Sequence, residues 1–139
     1  MQDYVHGYSE READRLRDQA TTLAELLHRD TSFPPGSKVL EAGCGTGAQT
    51  LFLAQSSPWA QIVSVDISAD SLAEAQRKIR QRDISNVEFR RADLYDLSFE
   101  NESFDHVFTC FVLEHLHHPL KVLQELRRVL TVSYTHLRA

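Results

Sequence analysis

Residues 39–50 read VLEAGCGTGAQT, an apolar run followed by three glycines in five positions, Gly43, Gly45 and Gly47. Glycines at this density cost backbone entropy that a plain turn would not need. They point to a backbone that passes close to a ligand. Two readings fit. Gly43 to Ala48 can be taken as G-x-G-x-x-A, which offers backbone N–H groups and a helix start to a dinucleotide pyrophosphate. Glu41 to Gly47 can be taken as E-x-G-x-G-x-G, which suits a different nucleotide-like ligand.

Further candidates lie downstream. Asp66 closes the run QIVSVD, 23 residues after Gly43. A fixed carboxylate about 20 residues beyond such a turn suits acceptance of hydrogen bonds from two ribose hydroxyls. Asp93 closes VEFRRAD and could accept from the exocyclic amine of an adenine, with Leu94 packing on the base. Each has a plainer reading: a helix N-terminal acid for Asp66, a solvated loop carboxylate for Asp93. LEHLHHP at 113–119 gathers Glu114, His115, His117 and His118. Their spacing matches neither H-E-x-x-H nor a zinc ribbon, so no metal is expected. The plain role of this stretch is to close a loop before Pro119, which opens a helix. A general-base role for Glu114 or His115 stays open. Cys110 has no cation near it in sequence to lower its thiol pKa, which reads as core.

These residues need elements to position them. Ser9 and Glu12 form a capping box, and Leu16, Ala20, Leu23 and Leu27 follow at helical spacing, so a helix is expected over 9–29. FPPGS at 33–37 is a turn. KVLEA at 38–42 is a strand entering the glycine turn, and a helix should run from about Thr46 to Gln55. QIVSVD at 61–66 is a second strand. Ser68 then caps a helix whose inward face carries Leu72, Ala75 and Ile79. Strands are expected at 87–93 and at 104–113, the latter apolar on both faces as a buried parallel strand should be. The last helix, 119–130, places Leu120, Leu123, Leu126 and Leu130 inward. Strands alternating with helices imply an α/β fold with a doubly wound parallel sheet. Ligands bind such sheets beyond the carboxyl ends of the strands, where the special residues fall.

Composition sets the bounds. At 139 residues the chain is one domain, and 42% hydrophobic with 25% charged residues describes a folded protein rather than a disordered one. The net charge of −5 argues against a nucleic-acid partner, which would call for a basic stripe. Arg77, Lys78, Arg80 and Arg82 read instead as the solvated face of a helix. The two cysteines, Cys44 and Cys110, make no C-x-x-C pair, which suits a reduced, cytoplasmic protein. The polar N-terminus is not a signal peptide, and no apolar run is long enough to span a membrane.

Taken in order, VLEAGCGTG, VDIS, RRADLYDLSFENESFDHVFTCFVLEHL and ELRRVL resemble the successive motifs of class I S-adenosylmethionine-dependent methyltransferases. The resemblance covers about residues 36–130 and is strongest to the small-molecule type, including enzymes of quinone biosynthesis. It implies a Rossmann-like sheet of seven strands and S-adenosylmethionine as cofactor. It also implies roles: Glu41, Gly43, Cys44 and Gly45 for the methionine and ribose portion, Asp66 for the ribose hydroxyls, and Ile67 packed on adenine. Asp93 and Leu94 would read the adenine edge, and Cys110 and Phe111 would lie near the methionine portion. Residues 1–35 resemble a helical lid in which Tyr4, Tyr8 and Arg11 could touch cofactor or substrate. The reaction implied is in-line attack on the sulfonium methyl, which needs positioning more than a strong nucleophile. No catalytic residue is assigned, and the acceptor is expected to be a small molecule.

Two alternatives remain: a nicotinamide- or flavin-dependent oxidoreductase using the same turn, or a non-catalytic nucleotide-binding scaffold. Glu41, two residues before Gly43, suits a cationic amino-acid ligand better than a pyrophosphate. After ELRRVL the family would continue with a Lys-Pro-Gly-Gly-type turn and a fifth strand, whereas this chain reads TVSYTHLRA. Val132 to Ala139 resembles a translated sequencing adapter. Residues 131–139 are therefore read as a non-native tail on a truncated methyltransferase core at 36–130. The C-terminal strands would be missing and strand 4 left as an exposed edge, so the fragment is expected to be unstable and inactive or weakly active.

Overall fold

The computed structural model describes residues 32–109 and 115–131, together with the backbone of 137–138. The helix expected over 9–29 lies outside these residues, with Ser9, Glu12, Tyr4, Tyr8 and Arg11. So do Cys110, Phe111 and Glu114. Among the described residues there are five parallel strands: β1 (Lys38–Ala42), β2 (Gln61–Asp66), β3 (Val87–Arg91), β4 (His106–Phe108) and β5 (Leu137–Arg138). The helices are α1 (Ala48–Ser56), α2 (Ala69–Gln81) and α3 (Pro119–Val129). The strand order β3-β2-β1-β4-β5 is that of a doubly wound Rossmann-like sheet. The order reverses between β1 and β4, which opens a crevice at their carboxyl ends.

Successive residues of a strand face opposite sides, so β1 feeds two cores. Val39 packs with Leu53, Ala54, Ile62 and Phe108 on the α1 side. Leu40 and Ala42 pack with Val63, Val65, Val107, Leu126 and Val129 on the α3 side. Because both faces are covered, Val39–Ala42 and Ile62–Val65 are buried throughout. This is why these strands read as nearly continuous apolar runs.

Helices α2 and α3 begin where the sequence indicates. Ser68 Oγ accepts from Ser71 N at the start of α2, and Leu72, Ala75 and Ile79 are its buried face. α1 starts at Ala48 rather than Thr46 because Gly47 is the N-cap, with φ 90°.

Four expectations are corrected. In α3 the inward stripe is Val122, Leu126 and Val129, while Leu120 is 67% exposed and Leu123 half-buried. The helix is rotated so that Val122 rather than Leu120 begins the i, i+4, i+7 row. Strand β3 ends at Arg91 rather than at residue 93. Asp93 Oδ1 accepts from Tyr95 N at 2.9 Å, a local side-chain bond that competes with the ladder and turns the chain. Strand β4 begins at His106 rather than at residue 104, where Phe104 pairs with Leu130 and the Asp105 side chain accepts from Lys38 N; it ends at Phe108, and residues 110–113 of the expected strand lie outside the described residues. Finally, β4 is not the edge of the sheet. Val107 and Phe108 pair in parallel with Leu137 and Arg138 of the tail. An open edge offers unpaired N–H and C=O groups to any extended backbone, whatever its side chains.

Candidate functional site

The glycine turn joins β1 to α1 at the carboxyl end of the sheet. Gly43 N and Cys44 N both donate to Val65 O at 2.9 Å, which ties the turn to the end of β2. Gly45 N donates to Asp66 Oδ2 at 2.9 Å, and Ser68 N donates to Asp66 Oδ1 at 2.9 Å. The half-buried Asp66 carboxylate is thus fixed between the turn and the start of α2. Each of its oxygens keeps a lone pair for a further donor. Ile67 is half-buried beside it, and its carbonyl accepts from Arg91 Nε.

The glycines divide by role. A Cβ on Gly45 would meet nothing within 4 Å, and its φ of 55° is in the left-handed region. Open space and a left-handed backbone at this point leave room for a ligand against the main chain. A Cβ on Gly47 would lie 2.9 Å from Ala75 Cβ. Gly47 therefore serves the packing of α1 on α2, not ligand approach.

Glu41 is 2% exposed, at the carboxyl end of β1. Thr50 Oγ1 donates to its Oε1 at 2.5 Å, and Ser64 Oγ donates to the same oxygen at 2.7 Å. Burial pushes the Glu41 carboxyl up to about 7; the two hydroxyl bonds pull it back in part, and the nearby Asp66 charge raises it further. Sequence reading missed Thr50 and Ser64. A signal existed, since Ser64 is a hydroxyl inside the apolar run QIVSV. What connects it to the site is strand register, which sets Glu41 opposite Ser64.

The Cys44 thiol is buried, and burial first, then the charges of Glu41 and Asp66, push its pKa up, so it is a neutral group and no nucleophile. Asp93 is half-buried two residues beyond the end of β3, whose last residue Arg91 pairs with Asp66 of β2. The Leu94 side chain, 2% exposed, packs into the α3-side core with Leu97 and Leu126. It is not available to pack on a base, so any ligand contact from Leu94 runs through its backbone. Two buried polar groups flank the crevice without a partner: Gln49 Nε2 in the first turn of α1 and Thr109 Oγ1 just past β4. Orphaned buried polar groups at this point fit a polar ligand in the crevice. Among the described residues no group of three or more His, Cys, Asp or Glu could hold a metal, and no helix is long and apolar enough to cross a membrane.

A doubly wound parallel sheet, with a glycine turn after β1 and acids at the ends of β2 and β3, defines a nucleotide-type binding domain. A family model described as a methyltransferase domain matches residues 39–132. A demethylmenaquinone methyltransferase of Bacillus cytotoxicus is 33% identical over 92% of this chain and 58% of its own length. A malonyl-[acyl-carrier protein] O-methyltransferase of Paenibacillus is 29% identical, covering 85% of this chain and 44% of its own. A crystal structure of a SAM-dependent methyltransferase from Aquifex aeolicus shares the fold. Its TM-score is 0.76 at 22% identity, over 90% of this chain and 69% of that one. The chain belongs to the methyltransferase domain family. It spans roughly half the length of these two curated relatives.

Proposed function

We propose that this domain binds S-adenosylmethionine beyond the ends of β1, β2 and β3 and directs its methyl group to a small-molecule acceptor. The observation that carries the reading is Asp66. Its carboxylate is held by Gly45 N and Ser68 N, at the point where the backbone of Gly45 leaves open space. When bound, the cofactor supplies a methyl group on a positively charged sulfur, already activated for in-line transfer. The chain then needs to position rather than to attack, in keeping with the neutral Cys44 thiol.

In this reading Asp66 accepts from the ribose hydroxyls and Ile67 packs against adenine. Asp93 and the Leu94 backbone face the adenine edge. Gly43, Cys44 and Gly45 bring main chain against the methionine portion. Glu41 offers negative charge to the amino-acid end, which a pyrophosphate would not tolerate. The small-molecule acceptor is supported by the likeness to demethylmenaquinone methyltransferases. Calorimetric titration of the chain with S-adenosylmethionine and separately with NADH tests the cofactor. Binding of the first alone is expected. Binding of NADH alone would favour an oxidoreductase, and binding of neither would sink the cofactor reading.

A further inference from the structure

Glu41 carries an arrangement that the cofactor reading does not by itself require. A buried carboxyl is costly unless hydrogen-bonded. Its two partners come from different elements, Thr50 from α1 and Ser64 from β2, and both hydroxyls are fully buried with it. They donate to the same oxygen. A carboxylate oxygen has two acceptor sites, so Oε1 is filled while Oε2 keeps its acceptor capacity. Among the described residues, the titratable groups that act on Glu41 are Asp66 at the end of β2 and the neutral Cys44 thiol in the turn. Neither supplies positive charge.

We infer that Thr50 and Ser64 are positioning residues for ligand binding. By holding Oε1 they reserve Oε2 of Glu41 as the acceptor for the ammonium group of an amino-acid-bearing nucleoside. This rests on the cofactor reading above. The ligand's ammonium then supplies the positive charge that Glu41 lacks, and Glu41 loses its proton as the ligand binds.

The test compares two nucleosides that differ in the amino-acid end. S-adenosylhomocysteine carries the ammonium, and 5′-methylthioadenosine does not. Titration of the full chain should show Thr50→Val and Ser64→Ala each weakening S-adenosylhomocysteine roughly tenfold, the scale of one hydrogen bond to a charged group. Both should leave 5′-methylthioadenosine unchanged, and Thr50→Ser should restore wild-type binding. Equal loss for both nucleosides would mean that the hydroxyls only support the fold, and would overturn the inference. Unchanged affinity in both variants would overturn it too, with the cofactor reading intact. If the wild-type chain binds no adenosyl nucleoside, the cofactor reading falls first and this inference with it. Proton release from the wild type near pH 6.5, measured in buffers of different ionisation enthalpy, needs no variant. Release with S-adenosylhomocysteine but not with 5′-methylthioadenosine is expected, and equal release with both would overturn the inference.

Discussion

At the scale of the residue, Glu41 makes the clearest physical statement. Its carboxyl titrates near 7 in the folded chain and near the ordinary 4.5 when unfolded. The native state therefore holds more protons between those values, and stability falls as pH rises from about 4.5 to 7. The full effect is on the order of 3 kcal/mol. Glu41→Gln removes the titrating group and keeps an acceptor for Thr50 and Ser64. Urea midpoints of the variant at pH 5 and pH 8 should differ by less than those of the wild type. An unchanged pH dependence would show that Glu41 is not the source. Glu41, Gly45 and Asp66 could be singled out from spacing alone, because a turn and its anions recur at fixed distances along a βαβ unit. Leu94 could not be placed from sequence. Whether a residue after a strand faces a crevice or the core depends on the turn that Asp93 makes with Tyr95 N.

At the scale of the element, the segment after β3 is held by α3. Arg128 donates to Glu125, to Leu97 O at 2.9 Å, to Phe99 O at 2.8 Å and to Asn101 Oδ1 at 2.9 Å. Glu125 in turn accepts from Leu97 N at 2.7 Å. The Arg128 hydrogen bond, with the Leu97 N–H, holds the Glu125 carboxyl below its ordinary value against a smaller opposing effect of burial. The half-buried ion pair, three residues apart on one helix, contributes only a few tenths of a kcal/mol by itself, about 0.2–0.5. The carbonyl bonds matter more, because they anchor the 97–101 loop. Arg128→Met keeps the stem and removes these donors. It is expected to lower stability by about 1–2 kcal/mol, read as a lower melting temperature and faster hydrogen exchange over 96–101. Exchange unchanged in that loop would contradict the anchoring role. In sequence, ELRRVL showed only an amphipathic helix. That its second arginine clasps a loop some thirty residues upstream is a contact that periodicity does not encode.

At the scale of the whole molecule, the sheet order and the switch point are what make a site of separate residues. β1 lies between β2 and β4, so the turn after β1 meets the acid at the end of β2 and the crevice toward β4. The two-residue β5 covers the edge of β4 through backbone pairing. A chain ending at Thr131 should lose that cover, with faster hydrogen exchange over 106–108 and a greater tendency to associate. Identical exchange in the two chains would show that the pairing adds no protection.

The sequence by itself determined the α/β class, β1 and β2 in full, the N-cap and buried face of α2, and the glycine turn with its flanking acids. These follow from periodicity and from short-range turn chemistry, which a local stretch of chain carries within itself. Only the tertiary structure decided that Gly47 is there for Ala75, that Leu120 faces outward, that the tail pairs with β4, and that Thr50 and Ser64 meet on one oxygen of Glu41. Each depends on strand register or helix rotation, which are settled by packing between segments far apart in the chain.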